Sequence, residues 1–309
     1  MKNSKLYFSF LFGTVCALLP PPYLSAAVIE VFAKGIDPND HNSYNNIQQI
    51  GPTCWAASGS NVIGHWQQYH TTLPENTPSS AWDVYNTYRS IYSIHTGGRS
   101  HTLYRWWLGY HSAAILGGYN PILPEFDTYG GYYEDIYTSM NAVQEVAWSY
   151  NSEFQVAASD EAKNRNLSRA IYYALSQGYS MAIHIPSDNH VITLYGATFD
   201  TTTNLLTSAY VCDSSGASFD SESISRVRVG VRTDSNGEDQ LCLLGYYFEN
   251  NDLTGYDSGR YLEDVYFLGN SVTDTKNFVL SVPEPSAFGM LSGIGVLALV
   301  ALRRRRKRV

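Results

Sequence analysis

The chain changes its periodicity at Gly178. Upstream, apolar residues return every three or four positions; downstream they alternate or run in short β-branched and aromatic stretches. These periods belong to helices and strands respectively. Trp55, Val62, Ile63 and Trp66 share one face of a helix predicted from Cys54 to about Tyr69. Trp82, Tyr85, Tyr88 and Ile91 do the same for a helix from Ala81 to about Ile94, which Gly97 and Gly98 end. The aromatic run 101–110 and the run 141–150 are two further candidates for short helices. The plainest helix covers Glu161 to Gln177, where acids open it and Gly178 closes it. Six strand-like runs follow, at 179–185, 190–199, 206–213, 226–232, 240–248 and 261–269, with turn-rich pieces such as PSDN and TDSNGED between them. Helices first and strands after is the order of an α+β fold with an antiparallel sheet, in one domain or two closely packed lobes.

Both ends stand apart from this pattern. Lys2 and Lys5 precede an apolar run, and the small residues Ser25, Ala26 and Ala27 follow it. That order is a secretory signal peptide, residues 1–27, cleaved after Ala26 or Ala27. At the other end, residues 286–302 are 17 positions without a charge, long enough for a short membrane helix of roughly 25 Å. Arg303 to Arg306, Lys307 and Arg308 then form a cationic stop of the kind that stays on the cytoplasmic side. The sequence Val282-Pro283-Glu284-Pro285, the apolar helix and the basic tail together resemble the PEP-CTERM protein-sorting signal, over residues 283–309. The resemblance implies delivery to the cell envelope or beyond, with a transient membrane anchor. It also implies a transpeptidase-like sorting partner that removes the tail near Pro283–Pro285. The folded body is then residues 28–282.

With 44% hydrophobic residues and 16% charged ones, the chain has material for a substantial core. Eight of the 20 Lys and Arg lie in the two terminal signals, so 12 remain in residues 28–285 against 28 Asp and Glu, a charge near −16. So acidic a body is repelled by phosphate backbones and anionic lipid, which excludes nucleic acid as a partner and confines membrane contact to the C-terminal helix. No P-loop, dinucleotide glycine fingerprint or CxxC pair occurs, and no cofactor is expected. His65, His70, His95, His101 and His111 show no metal-ligand spacing supported by acids, and His184, inside a strand pattern, reads as packed; no metal is expected. Most of the 25 tyrosines suit core margins with one wet end.

Cysteine is scarce. Cys16 leaves with the signal peptide, and Cys54, Cys212 and Cys242 remain. An odd count in an exported protein suggests one pair and one free thiol. Cys212 and Cys242 are the disulfide candidates, if their strands are neighbours. Cys54 follows Gly51-Pro52-Thr53 at a predicted helix start, where first-turn amides and the dipole favour a thiolate. A buried structural cysteine is the plainer alternative. His190 stands at a turn-to-strand junction, firmly held yet able to face a cleft. It follows Cys54 by 136 residues, inside the window of about 130–150 seen in papain-like proteases. Asp213, at the end of the next strand, could orient the imidazole or simply form an Asx turn with Ser214-Ser215-Gly216. The Cys54 backbone N–H and the Gln48 side chain, with Gln49 as the fallback, are the oxyanion donors. Trp106 and Trp107 could line a substrate groove or belong to the core. Asp200 ends a strand and reads as a turn former.

These segments carry a second resemblance. QQIGPTCWAASGSNVIGHW, then NHVITLYGATFD and AYVCDSSG, are similar to the immunoglobulin-degrading cysteine protease (IdeS/Mac) family, a papain-like group, over roughly residues 48–248. The resemblance implies a papain-like fold, Cys54 as nucleophile, His190 as base and Asp213 as its orienter. The expected activity is a thiol protease acting on proteins or peptides through a thioester. Two positions depart from the family pattern: Ser215 stands where it has a second acid, and no lysine lies between Lys34 and Cys54. These bear on the choice of substrate. A Cys-His-Asp acyltransferase, or a surface binding protein that kept the fold without the activity, would present the same segments.

Overall fold

The computed structural model describes residues 28–91, 100–108, 132–133, 144–149, 159–185, 189–215, 224–244 and 260–269. The expected signal peptide, the 286–302 helix and the basic tail lie outside them. Four helices are described: α1 Cys54–Tyr69, α2 Ala81–Ile91, α3 Ser100–Leu108 and α4 Asp160–Ser176. The strands are β1 Val28–Phe32, β2 Gln144–Ser149, β3 Met181–Ile185, β4 His190–Asp200, β5 Leu205–Cys212, β6 Ser225–Thr233, β7 Asp239–Leu244, β8 Arg260–Tyr261 and β9 Asp264–Gly269. They form one antiparallel sheet in the order β2-β9-β3-β4-β5-β6-β7-β8. β1 pairs with the far half of β4, from Val28↔Asp200 to Phe32↔Gly196, on the edge that β3 uses further along. The architecture is α+β.

Each face of the sheet carries its own core, as strand alternation requires. Ile192 and Leu194 of β4 pack with Leu167, Ile171 and Leu175 of α4. Val191, one residue away, packs with Trp55, Val62 and Trp66 of α1 and with the aromatic residues of α2 and α3. The α4 boundaries follow from its ends. Ser159 accepts from the Ala162 N–H, and Asp160 and Glu161 occupy the first turn. Gly178 takes φ +86°, and the Gly178 and Tyr179 amides bond back to the Leu175 and Ala174 carbonyls. This is a Schellman closure, and the left-handed position suits a residue without Cβ. Asn164 fastens the helix to the sheet by donating to the Asp239 carbonyl and accepting from the Leu241 amide.

α1 is buried on nearly every side, from Cys54 through Gln67. A helix so placed must satisfy its own polar side chains. Ser58 donates to the Val191 carbonyl at 2.9 Å, Asn61 to Thr193 Oγ1 at 3.0 Å, and His65 Nε2 to the Lys34 carbonyl at 2.9 Å. The spacing of three and four makes one stripe along the helix, aimed at β4 and the segment after β1. On another side, Gln67 Oε1 accepts from Trp107 Nε1 and the Tyr133 hydroxyl.

Several expectations change. Residues 144–149 form strand β2, where a helix was expected over 141–150. The pairing with β9, from Gln144↔Gly269 to Ser149↔Asp264, overrides a local pattern compatible with either state. The run 261–269 is two strands, broken at Leu262 and Glu263. β1 was not anticipated. The disulfide is absent: Cys212 and Cys242 are both free. β6 lies between their strands, and by the register Cys242 stands opposite Gly230, which is on the strand next to that of Cys212 but displaced along it. That puts them roughly 20 Å apart, beyond bridging distance.

Two measurements test this packing. A Cβ on Gly64 would lie 2.7–2.9 Å from the Cβ, N and Cα of Ala81, rigid atoms at the start of α2. Gly64→Ala is therefore expected to destabilise by about 1–2 kcal/mol despite its better helix propensity, read as a lowered Tm. His65 is buried with Nδ1 unpartnered, and burial, with His70 nearby, lowers its pKa from 6.5 to about 4 against the raising effect of the Lys34 carbonyl. Between those values the unfolded chain binds the extra proton, so stability is full above pH 6.5 and falls as pH drops towards 4, by about 3 kcal/mol in all. Urea unfolding across this window should show the decline in the native protein and a smaller one in His65→Gln.

Candidate functional site

The start of α1 differs from that of α4. Thr53 precedes the helix but makes no side-chain cap, and the first turn holds no acid. Its hydroxyl is engaged elsewhere, bonding the Ile50 carbonyl at 3.2 Å and sharing a 2.6 Å hydrogen bond with the Tyr85 hydroxyl. Tyr85 Oη also accepts from the Ile50 amide at 2.8 Å. Tyr85, fully buried on α2, is thus the strut under the loop that delivers Cys54 to the first position of the helix. The positive end of the helix dipole carries neither a capping oxygen nor a carboxylate, and Cys54 sits on it.

His190 and Asp213 are brought to this point by the sheet. The pairing Thr193↔Cys212 places the first residue of β4 and the residue after β5 at the same end of two adjacent antiparallel strands. His190 Nε2 donates to Asp213 Oδ1 at 2.8 Å. The same oxygen accepts from the Ser215 amide at 2.8 Å, so Asp213 forms the Asx turn and holds the imidazole at once. Asp213 is buried, with its side chain 1% exposed against 9% for His190. Cys54 lies beside the ring, and its side chain is one of the groups that raise the His190 pKa. With Nε2 engaged by Asp213, Nδ1 is the ring nitrogen left for the sulfur.

Burial alone would lower the His190 pKa, and it is the largest single influence. The hydrogen bonds and charges of Asp213 and Cys54 together outweigh it and raise the value from 6.5 to about 9. The ring is therefore cationic at neutral pH and faces a sulfur.

The loop before α1 is tied to the Asp213 loop. Gln49 N–H donates to the Ser214 carbonyl at 2.9 Å, Ser214 Oγ donates to Gln49 Oε1 at 2.9 Å, and Gln49 Nε2 donates to the Gly51 carbonyl at 3.0 Å. Gln49 is thus a structural link between the two loops. Gln48 is exposed beside it. Trp106 and Trp107 are core residues, not groove residues: both are 0% exposed, and Trp106 packs edge-on against Tyr88. His184 is also placed differently from its expectation. Its side chain is 26% exposed and faces Asp264 and Glu263. Asp200 makes its turn, accepting from the Thr202 amide at 2.7 Å. Sequence reasoning overlooked Tyr85, whose helical spacing marked it only as an apolar-face residue.

Comparison with known proteins bears on the C-terminal end. Residues 281–306 match the PEP-CTERM protein-sorting motif. The motif marks an exported protein sorted to the cell envelope and implies recognition of this end by a sorting system. Among the described residues no helix is long and apolar enough to cross a membrane. A search of curated proteins finds no match to the chain.

Proposed function

We propose that the chain is an exported, papain-like cysteine endopeptidase acting on protein or peptide substrates. The observation that carries the reading is the line Cys54, His190, Asp213: a thiol on an uncapped helix N-terminus, beside an imidazole that a buried carboxylate holds. An imidazolium and a helix dipole aimed at one sulfur are the arrangement a thiolate nucleophile requires. In this mechanism the Cys54 thiolate attacks the scissile carbonyl, and the oxyanion that forms is met by the Cys54 amide and Gln48. His190 gives its proton to the leaving amine, leaving a thioester on Cys54. His190 then takes a proton from water as the water attacks the thioester, which releases the acid and restores the thiolate–imidazolium pair. Asp213 keeps the ring oriented and stabilises its cationic form. The similarity to the IdeS/Mac segments supports the same roles.

The decisive experiment is iodoacetamide labelling of the purified protein between pH 4 and 10, alongside cleavage of a peptide library. Rapid labelling of Cys54 that persists into acid and collapses in His190→Ala is the expected result. Peptide cleavage should vanish in Cys54→Ala and fall about 100-fold or more in Asp213→Asn. Because His190 loses its proton near pH 9, the rate should decline on the alkaline side around that value. Slow labelling indifferent to His190 would replace this reading with a binding protein, and capture of the acyl group by added amines in preference to water would make it an acyltransferase. Tyr85→Phe removes the hydroxyl that links Ile50 to Thr53. It should lower kcat about 10- to 100-fold with little change in KM, as expected when a nucleophile is displaced and substrate contacts are kept.

A further inference from the structure

A second group of chemically active side chains lies one strand over from His190. His184 is the last but one residue of β3, and Asp264 is its antiparallel partner at the start of β9, so their side chains rise from the same face of the sheet. His184 Nδ1 lies 3.3 Å from Asp264 Oδ2 and 3.9 Å from Glu263 Oε2, and one ligand atom from each of the three residues falls within 4.8 Å of the others. Glu263 and Asp264 are adjacent in sequence, and a continuous strand would send them to opposite faces. The break between β8 and β9 prevents this: the Glu263 amide bonds the His184 carbonyl at 3.3 Å, and both carboxylates turn towards the same imidazole. Convergence of two carboxylates is costly unless positive charge lies between them. Tyr266, two residues along β9, donates its hydroxyl to Asp264 Oδ2 at 3.0 Å.

We propose that His184, Glu263 and Asp264 bind a first-row divalent cation, zinc being the best match, with Tyr266 orienting Asp264 from the outer shell. One imidazole nitrogen and two carboxylate oxygens are zinc-type donors, whereas magnesium and calcium prefer oxygen alone. Zinc bonds of about 2.0–2.2 Å place two ligand atoms roughly 3–4 Å apart. Two of the observed separations already fall in that range. The third closes by small rotations of side chains that are 24% and 16% exposed and so open to entering ions. Bound there, the cation would clamp β3 to β9 beside the strand end that carries His190. The site does not depend on the peptidase reading, and its chemistry can be tested without substrate.

Cobalt, a spectroscopic stand-in for zinc, is titrated into the purified protein and its variants. One equivalent should bind with visible d–d bands and without a thiolate charge-transfer band, equally in Cys54→Ala, which separates this site from adventitious capture by the nucleophile. Binding should be lost in His184→Ala and weakened at least tenfold in Glu263→Gln, a change of equal size that leaves the fold in place. Tyr266→Phe should weaken it about tenfold, as loss of an outer-shell partner does. Zinc should raise Tm in the native protein and not in His184→Ala. Absence of saturable binding, binding that needs Cys54, or binding that survives in both His184→Ala and Asp264→Asn would overturn the proposal.

Discussion

The burial of α1 is the constraint on which the rest of the structure depends. A helix enclosed from Cys54 to Gln67 has no solvent to complete its hydrogen bonds, so protein partners must serve most of its polar side chains, and Ser60 Oγ is left without one. Ser58 and Asn61 find theirs on β4, and His65 finds its own on the segment after β1. These bonds fix the rotation and axial position of the helix against the strand that begins with His190. The position of Cys54 relative to His190 is therefore set by contacts up to three helical turns away, and the loop before the helix has only to be held in place. Tyr85 and Gln49 hold it.

The same economy governs the other half of the site. His190 and Asp213 are 23 residues apart, and an antiparallel pairing with one reversal brings their strand ends together. The register projects His190 opposite Ser215, not Asp213. The Asx turn, in which the Ser215 amide bonds Asp213 Oδ1, folds the chain back so that the carboxylate meets the ring. The two readings of Asp213 open at the level of sequence, turn former and orienter, describe one arrangement. Burial of the carboxylate is tolerable because its oxygen takes two donors, one of them cationic.

What could be read from the sequence was local. The α4 cap residues, the strand runs after Gly178 and the junction positions of Cys54, His190 and Asp213 all announce themselves within a few neighbouring residues. What could not be read depends on pairing across the chain. β2 looks helical in isolation and becomes a strand because β9 is beside it. Trp106 and Trp107 are amphiphilic enough for a groove, and only the presence of Gln67 and Tyr88 makes them core. Cys212 and Cys242 sit in strands that resemble neighbours until β6 is placed between them. The approach of Glu263 and Asp264 to His184 rests on a strand break that nothing in the run YLEDVYFLG signals.

That three cysteines among the described residues remain free in a protein bound for an oxidising compartment has a physical explanation. Oxidation proceeds through the thiolate. Burial pushes the Cys212 thiol far above its ordinary range, with Asp213 adding to the effect, and pushes Cys242 to about 11 against the opposing charge of Arg232. Both stay protonated and enclosed, and behave as small apolar residues. Cys54 is also enclosed, but its neighbours are a helix N-terminus without a cap and a cationic imidazole. The fold thus separates its thiols by their surroundings: two lie in burial that raises their pKa, and the third lies beside an uncapped helix N-terminus and an imidazolium. On the proposed thiol-protease reading, the scarcity of cysteine, the uncapped helix and the raised imidazole belong together as the setting of one reactive sulfur in an oxidising compartment.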